Sequence, residues 1–219
     1  MASQVKGENT SQECSLEPMN LHDGFEFGEL RRQRIACGWN HEREVIECWR
    51  NDMDAKMKTL FWITIRASTS DKEPSPNRAG HISLTYQKDP PDLEMANPDK
   101  SAIEISNLFI LPEYRKLGLA TQALAMVEEL AKSEPYGGPN CKALTLNTAS
   151  KRYWDDDGDE WRGLWLKAGL NVPERGWSLE HWYETMGFVK FKEAPTYETS
   201  ALDGTELKWW ASFMKKMID

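Results

Sequence analysis

The stretch "LFILPEYRKLGLATQAL", residues 108–124, decides how this chain is read. An apolar run stops at Pro112, a charged turn carrying Arg115 and Lys116 follows, and Gly118 precedes a run with helical spacing. The first N–H groups of a helix have no partner inside it, and the helix dipole adds partial positive charge at the same end. An anion placed there receives several hydrogen bonds at once. Gly118 has no Cβ, so a bulky group can approach the backbone closely. Two cations at the mouth make this the physics of a phosphate cradle. A plain strand-to-helix turn with solvated cations has the same composition.

Working outward, "AIEISNLFIL" at 102–111 predicts a strand and "CKALTLNTA" at 141–149 another. The helix between them, from Gly118 to about Lys132, sets Ala120, Leu124, Val127 and Ala131 on one stripe, and Pro135 with Gly137-Gly138 ends it. Strand, helix and strand form one crossover unit, which implies parallel neighbours. Upstream, an alternating stretch over Phe25–Leu30 predicts a first strand. "HEREVIECWRNDMDAKM", 41–57, fits an amphipathic helix through Val45, Trp49 and Met53. "KTLFWITIRA" and "NRAGHISLTYQKD" are strands around a loop, "STSDKEPSPN", and 89–101 is a proline-rich loop. "SLEHWYETMGF" is a short helix capped by Ser178 and stopped by Gly187. "FVKFKEA" and "ELKWWASFMKKM" are terminal strands expected to pair antiparallel.

The domain plan that follows is a flexible tail over 1–20 and one domain over 21–219, with an insertion at about 151–177 in which acids, glycines and Trp mix without a period. The 219 residues suit one α/β domain. With 27 basic and 35 acidic residues the net charge is -8, which argues against nucleic acid or an anionic membrane as partner. No apolar run is long enough to span a bilayer, and the polar N-terminus has no signal-peptide core. Asn9-Thr10-Ser11 matches a glycosylation sequon, discounted without a secretion signal. Cys14, Cys37, Cys48 and Cys141 lack metal-ligand spacing, so neither zinc nor a disulfide framework is expected. Reduced thiols point to the cytoplasm, with the nucleus left open.

The central stretch is neither a Walker loop nor GxGxxG. It resembles motif A of the GCN5-related N-acetyltransferase (GNAT) family: a strand, a loop, [Gln/Arg]-x-x-Gly-x-[Gly/Ala], then a helix. Here that reads Arg115-Lys116-Leu117-Gly118-Leu119-Ala120, with the family's proline and acid before the Arg. "WYETMGF" at 182–188 is similar to motif B, and the two occur in the expected order. The resemblance covers nearly the whole chain beyond the tail. "GW…WR" and "FMKK" add an impression of a fungal-type, small-molecule branch.

The resemblance implies a single GNAT-like α/β (α+β) domain whose mixed central sheet, flanked by helices, splays between the strands at 102–111 and 141–149. It implies acetyl-CoA as co-substrate, no metal, and direct transfer to an amine. The N–H groups of Leu117, Gly118, Leu119 and Ala120 would hold the pyrophosphate, with Arg115, Lys116 and Thr121 beside them. Leu108 and Ile110 would pair with the pantetheine arm, and an N–H near Leu108 or Phe109 would polarise the thioester carbonyl. Tyr183 matches the tyrosine that serves the leaving thiolate. The family often has an Asn at the start of the short helix; Ser178 stands there, and Asn147 is a substitute for that contact. Family members are often dimers, which leaves a homodimer open.

An alkylamine arrives protonated and must lose a proton before attack. Glu104 is the candidate base, with Glu104, Ser106 and Leu108 on one strand face by the period-two rule. Water, His81, Asp99 or the insertion are alternatives, and Glu104 as a surface carboxylate is another. Trp154, Trp161, Trp165, Trp177 and Trp182, with Asp155, Asp156, Asp157, Asp159 and Glu160, could form an acidic aromatic lid for a cationic amine or simply pin a long loop. The favoured acceptor is a small, cationic amine. A protein or peptide amine and a non-catalytic acyl-CoA-binding module are the competing readings.

Overall fold

A computed structural model describes residues 13–65 and 77–218. Most of the expected tail and the loop at 68–77 lies outside the described residues. The elements are β1 (Cys14–Pro18), α1 (Gly24–Cys37), α2 (Arg43–Asp54), β2 (Lys58–Ile65), β3 (Asn77–Thr85), β4 (Ala102–Ile110), α3 (Leu119–Ala131), β5 (Ala143–Ala149), α4 (Arg152–Asp155), α5 (Arg162–Lys167), α6 (Leu179–Thr185), β6 (Val189–Ser200) and β7 (Glu206–Met217). The seven strands follow the order β1-β2-β3-β4-β5-β7-β6 in a mixed sheet. The chain forms two compact units, Met1–Thr85 with Asn107–Tyr136, and Tyr86–Ser106 with Gly137–Asp219, so β4 contributes to both.

In the first unit, α1 and α2 cover β2. Leu30, Ile46, Trp49, Leu60 and Trp62 are buried together, each such side chain contributing about 1.5–3 kcal/mol. Glu26 of α1 accepts hydrogen bonds from the Asn20 N–H, the Trp62 indole and Arg78, fixing the helix to the sheet. Two expectations fail here. Phe25–Leu30 is the start of a helix, because Asp23 caps it through the N–H groups of Phe25 and Glu26. Its buried face is Leu30, Gln33 and Arg34, and the two polar members hid the helical period. Part of the expected tail is ordered: Cys14–Pro18 pairs antiparallel with Phe61–Ile65 as an outer strand, and the Cys14 N–H donates to Gln122 of α3.

In the second unit, β5 pairs antiparallel with β7 and β7 with β6, as expected for the terminal strands. β4 and β5 run parallel, as the crossover predicts, through Ala102–Glu104 and Ala143–Thr145. That ladder ends at Glu104, so Ile105, Ser106, Leu146 and Asn147 lie beyond it. The loop at 89–101 is tied down where the Thr145 hydroxyl donates to the Met95 carbonyl at 2.5 Å. The insertion is two short helices whose Tyr153, Trp161 and Leu164 bury against Leu207 and Trp209.

Gly80 of β3 sits where the chain leaves no room for a side chain. A Cβ there would lie 2.1 Å from the Phe109 carbonyl oxygen and 3.1 Å from the Ile110 Cα. Gly80→Ala therefore has to shift backbone. It is expected to cost about 1–3 kcal/mol, seen as a lower denaturant midpoint with an unchanged slope.

Candidate active site

In the first unit, a short 3-10 turn over Pro112–Tyr114 delivers the chain to the start of α3. Lys116 and Gly118 both have positive φ, 66° and 75°. For Gly118 this costs little; for a residue with a Cβ it costs about 1–2 kcal/mol. Gly118 is the N-cap and offers no side chain, and the first helical bond is Gln122 N–H to its carbonyl at 3.1 Å. Among the described residues, the N–H groups from Leu117 to Thr121 have no hydrogen-bond partner. A Cβ on Gly118 would meet nothing nearer than Gln122 Nε2 at 3.9 Å, so this backbone is open to a ligand. Arg115 donates from Nε to the Ile110 carbonyl at 3.2 Å and lies over the Phe109 ring. It thereby holds the end of β4 and keeps its charge beside the exposed amides.

The strand leading in is irregular. Asn107 has φ 55° within β4, and such a residue interrupts the pleat. The period-two rule that groups Glu104, Ser106 and Leu108 does not carry across it. Beyond that point the direction of the backbone is clear. The Leu111 N–H donates to the Ala79 carbonyl at 2.9 Å, and the Phe109 carbonyl lies against Gly80. Alternate residues of a strand turn their amides to opposite edges, so Phe109 turns towards β3 while Leu108 and Ile110 turn away. Of the two N–H groups expected to polarise a carbonyl, that of Phe109 points towards β3 and that of Leu108 away from it.

In the second unit, Glu104 is buried, 4% exposed, and is no surface carboxylate. Its Oε2 lies 3.2 Å from Lys88 Nζ. Its Oε1 accepts from Asn147 Nδ2 at 3.2 Å and from Lys88 Nζ at 3.4 Å. The Tyr197 hydroxyl of β6 donates to Asn147 Oδ1. Burial, and then the charge of Glu104, push the Tyr197 phenol well above its ordinary range. Lys88 and Tyr197 carried no signal in the sequence; they reach Glu104 and Asn147 only through the fold. Asn147, expected near the cofactor, is half-buried and occupied on both ends of its amide.

Tyr183 lies on α6, which is anchored by Glu180, a fully buried residue. Glu180 accepts from Ser212 Oγ at 2.6 Å and the Lys151 N–H at 2.7 Å, and Lys190 lies at 3.1 Å. Burial alone would push its carboxyl up; these bonds outweigh burial and hold it below the usual range. Tyr183 packs against Trp182 and Phe188. Burial, with a smaller contribution from Tyr197, raises its phenol far above 10, so it remains a neutral donor. Ser178 caps α6 as expected, accepting from the His181 N–H at 3.2 Å. It is fully buried, and its hydroxyl also faces His181 Nδ1. That accounts for Ser178 as a cap.

The alternative bases fare differently. His81 is fully buried in the first unit, with Nδ1 2.9 Å from Gln33 Oε1 and Nε2 3.4 Å from Arg34. Arg34 can only donate, so Nε2 accepts and Nδ1–H donates. Burial, then the Arg34 charge, keep the imidazole well below 6.5. The Asp99 carboxylate closes a turn onto the Ser101 N–H and hydroxyl. In the insertion, Asp156 pairs with Arg152, Asp157 with Arg175 and Asp155 with His181. Trp154, Trp161 and Trp165 pack into its core while Trp177 is 60% exposed, so three of the five tryptophans pin the loop. Among the described residues, no group of three or more His, Cys, Asp or Glu is placed to hold a metal, and no helix is long and apolar enough to cross a membrane.

Comparison with known proteins gives a family. The model of the acetyltransferase (GNAT) family matches residues 27–158, more than half the chain. None of the curated proteins matches the chain in sequence. Among solved structures, NAA60 of Arabidopsis thaliana in complex with acetyl-CoA is 14% identical with a TM-score of 0.56, over 94% of this chain and 99% of that one. A spermidine N-acetyltransferase SpeG chimera from Vibrio cholerae and hSSAT is 14% identical with a TM-score of 0.54, over 93% and 94%. The aminoglycoside 6'-N-acetyltransferase of Enterococcus faecium is 12% identical with a TM-score of 0.55, over 94% and 97%. At these identities the likeness is one of fold, and a fungal-type branch finds no support in it.

The buried imidazole has a consequence for stability. Above pH 6.5 His81 is neutral in both folded and unfolded chains and contributes no slope. Below it the unfolded chain takes up a proton that the folded one refuses, so stability falls as pH drops towards the depressed folded value. Denaturant unfolding between pH 7 and pH 5 should show this fall, with a shallower slope in His81→Gln. An unchanged slope would contradict the assignment.

Proposed function

The chain belongs to the acetyltransferase (GNAT) family, and from that premise we propose that it transfers an acetyl group from acetyl-CoA directly to the amine of a small cationic molecule. The observation that carries this reading is the row of unpartnered N–H groups from Leu117 to Thr121 behind a glycine with φ 75°. That backbone suits a diphosphate: several donors, the positive end of a 13-residue helix, open space at Gly118, and Arg115 and Lys116 adjacent.

Each residue's part follows from its surroundings. Glu104 takes the proton that the acceptor ammonium must lose. The nearby Lys88 ammonium supports this, since it lodges 3.2 Å from the carboxylate in the manner required of a primary amine. Leu108 offers its N–H to the thioester oxygen as charge builds there, a contribution typically worth about 100–1000-fold in rate. Tyr183 meets the departing sulfur. A thiol ionises near 8.5 and this phenol is held well above 10, so a complete proton transfer would be uphill. Tyr183 therefore stabilises the thiolate through a hydrogen bond, and the proton that neutralises it is the second one shed by the attacking nitrogen as the amide forms. The net charge of -8 favours cationic acceptors, while Asp156 and Asp157 of the insertion, paired with Arg152 and Arg175, add little.

Titration calorimetry should detect acetyl-CoA binding to the parent and none to Gly118→Trp with its circular dichroism intact. No heat in the parent would overturn the reading. A panel of polyamines, aromatic amines, amino acids and peptides, followed by mass spectrometry, should show acetylation of small amines; turnover on peptides alone would refute that choice of acceptor. Glu104→Gln should lower kcat about 100-fold or more and flatten the acid side of the rate-versus-pH curve. A curve of unchanged shape would mean another base. Binding without turnover on any amine would leave a non-catalytic module.

A further inference from the structure

We infer that Asn147 and Tyr197 are positioning residues for Glu104, forming a hydrogen-bonded chain that holds the carboxylate as an oriented anion. This rests on Glu104 being the base. The direction of the chain follows from chemistry. An ionised carboxylate only accepts, so the Asn147 amide must present Nδ2 to Glu104 Oε1, at 3.2 Å. Turning the amide over would set Oδ1 against the carboxylate, oxygen against oxygen. With Nδ2 committed, Oδ1 faces β6, and the Tyr197 hydroxyl must donate to it. Tyr197 thus locks the amide, and the amide locks the carboxylate.

The charged and titratable groups around Glu104 fit this account. Lys88, from the segment after β3, lies 3.2 Å from Glu104 Oε2 and 4.0 Å from Asp92. Tyr197, kept protonated by burial and by the Glu104 charge, remains a donor throughout the working pH range. Tyr183 is the other phenol near Tyr197 and is equally neutral. Lys88 can move away to admit a substrate ammonium, since it is a flexible side chain with 30% exposure. Asn147 sits on a β5 that is paired with β7 along its whole length. The orientation of Glu104 therefore survives exchange of one cation for another.

The test compares the parent with Tyr197→Phe, Asn147→Ala, their double variant and Glu104→Gln, using acetyl-CoA with spermidine or tyramine, whichever the parent acetylates. Loss of a donor to the ionised carboxylate favours its protonated form. The acid limb of kcat should therefore move to higher pH, with kcat about tenfold lower and KM for acetyl-CoA unchanged. The double variant should be no worse than Asn147→Ala, because Tyr197 acts through Asn147. Additive losses, or losses with the parent's pH profile, overturn the proposal. If Glu104→Gln itself keeps the parent's profile, the base assignment fails and takes this inference with it. If only Glu104→Gln flattens the limb, the inference alone fails. A readout without turnover is the Asn147 side-chain amide in 15N-labelled full chain, identified by its absence in Asn147→Ala. Its proton signals should move in both Tyr197→Phe and Glu104→Gln; signals unmoved in both would refute the chain.

Discussion

A helix cannot satisfy its own first N–H groups, and at α3 the chain leaves them unsatisfied. Two helices here follow the usual remedy: Asp23 caps α1 and Ser178 caps α6 with a side-chain oxygen. α3 has glycine at that position, and the backbone before it is turned by two positive-φ residues. The result is a row of donors facing open space, with two cations beside them. The proposed diphosphate binding depends on this deficit, because a side-chain cap at α3 would occupy part of the donor row.

The second constraint is charge burial. A carboxylate as enclosed as Glu104 is costly unless paired and hydrogen-bonded. The chain answers with one ammonium and one amide, and the amide is itself anchored by a phenol. Glu180, fully buried, is handled in the same way with a lysine, a serine and a backbone N–H. The first carboxylate is the proposed base; the second fixes the helix carrying Tyr183. Two acids with similar burial thus serve different ends, and the difference lies in what their partners are attached to.

Local signals were legible. The stripe of α3, the caps of α6, the parallel crossover and the terminal hairpin all follow from period, turn residues and chain order. Failures occurred where a local pattern was incomplete. α1 hides its period because Gln33 and Arg34 occupy its buried face to meet His81. β1 has no strong pattern because pairing along an outer strand is a matter of backbone. The alternation assumed through β4 breaks at Asn107, and the direction of Phe109 depends on the close approach of Gly80. The tryptophans of the insertion looked like a lid and for the most part are packing, since a long loop needs apolar anchors to hold it.

The amino-acid sequence alone determined the turn into α3 and the family, because that turn is built from consecutive residues whose dihedral preferences and helix propensity act over a few positions. Only the tertiary structure decided what surrounds Glu104. Asn147 is 43 residues from Glu104 and Tyr197 a further 50 from Asn147. Whether such groups meet depends on strand register and on which neighbour each strand selects, and those are settled by burial across the whole sheet.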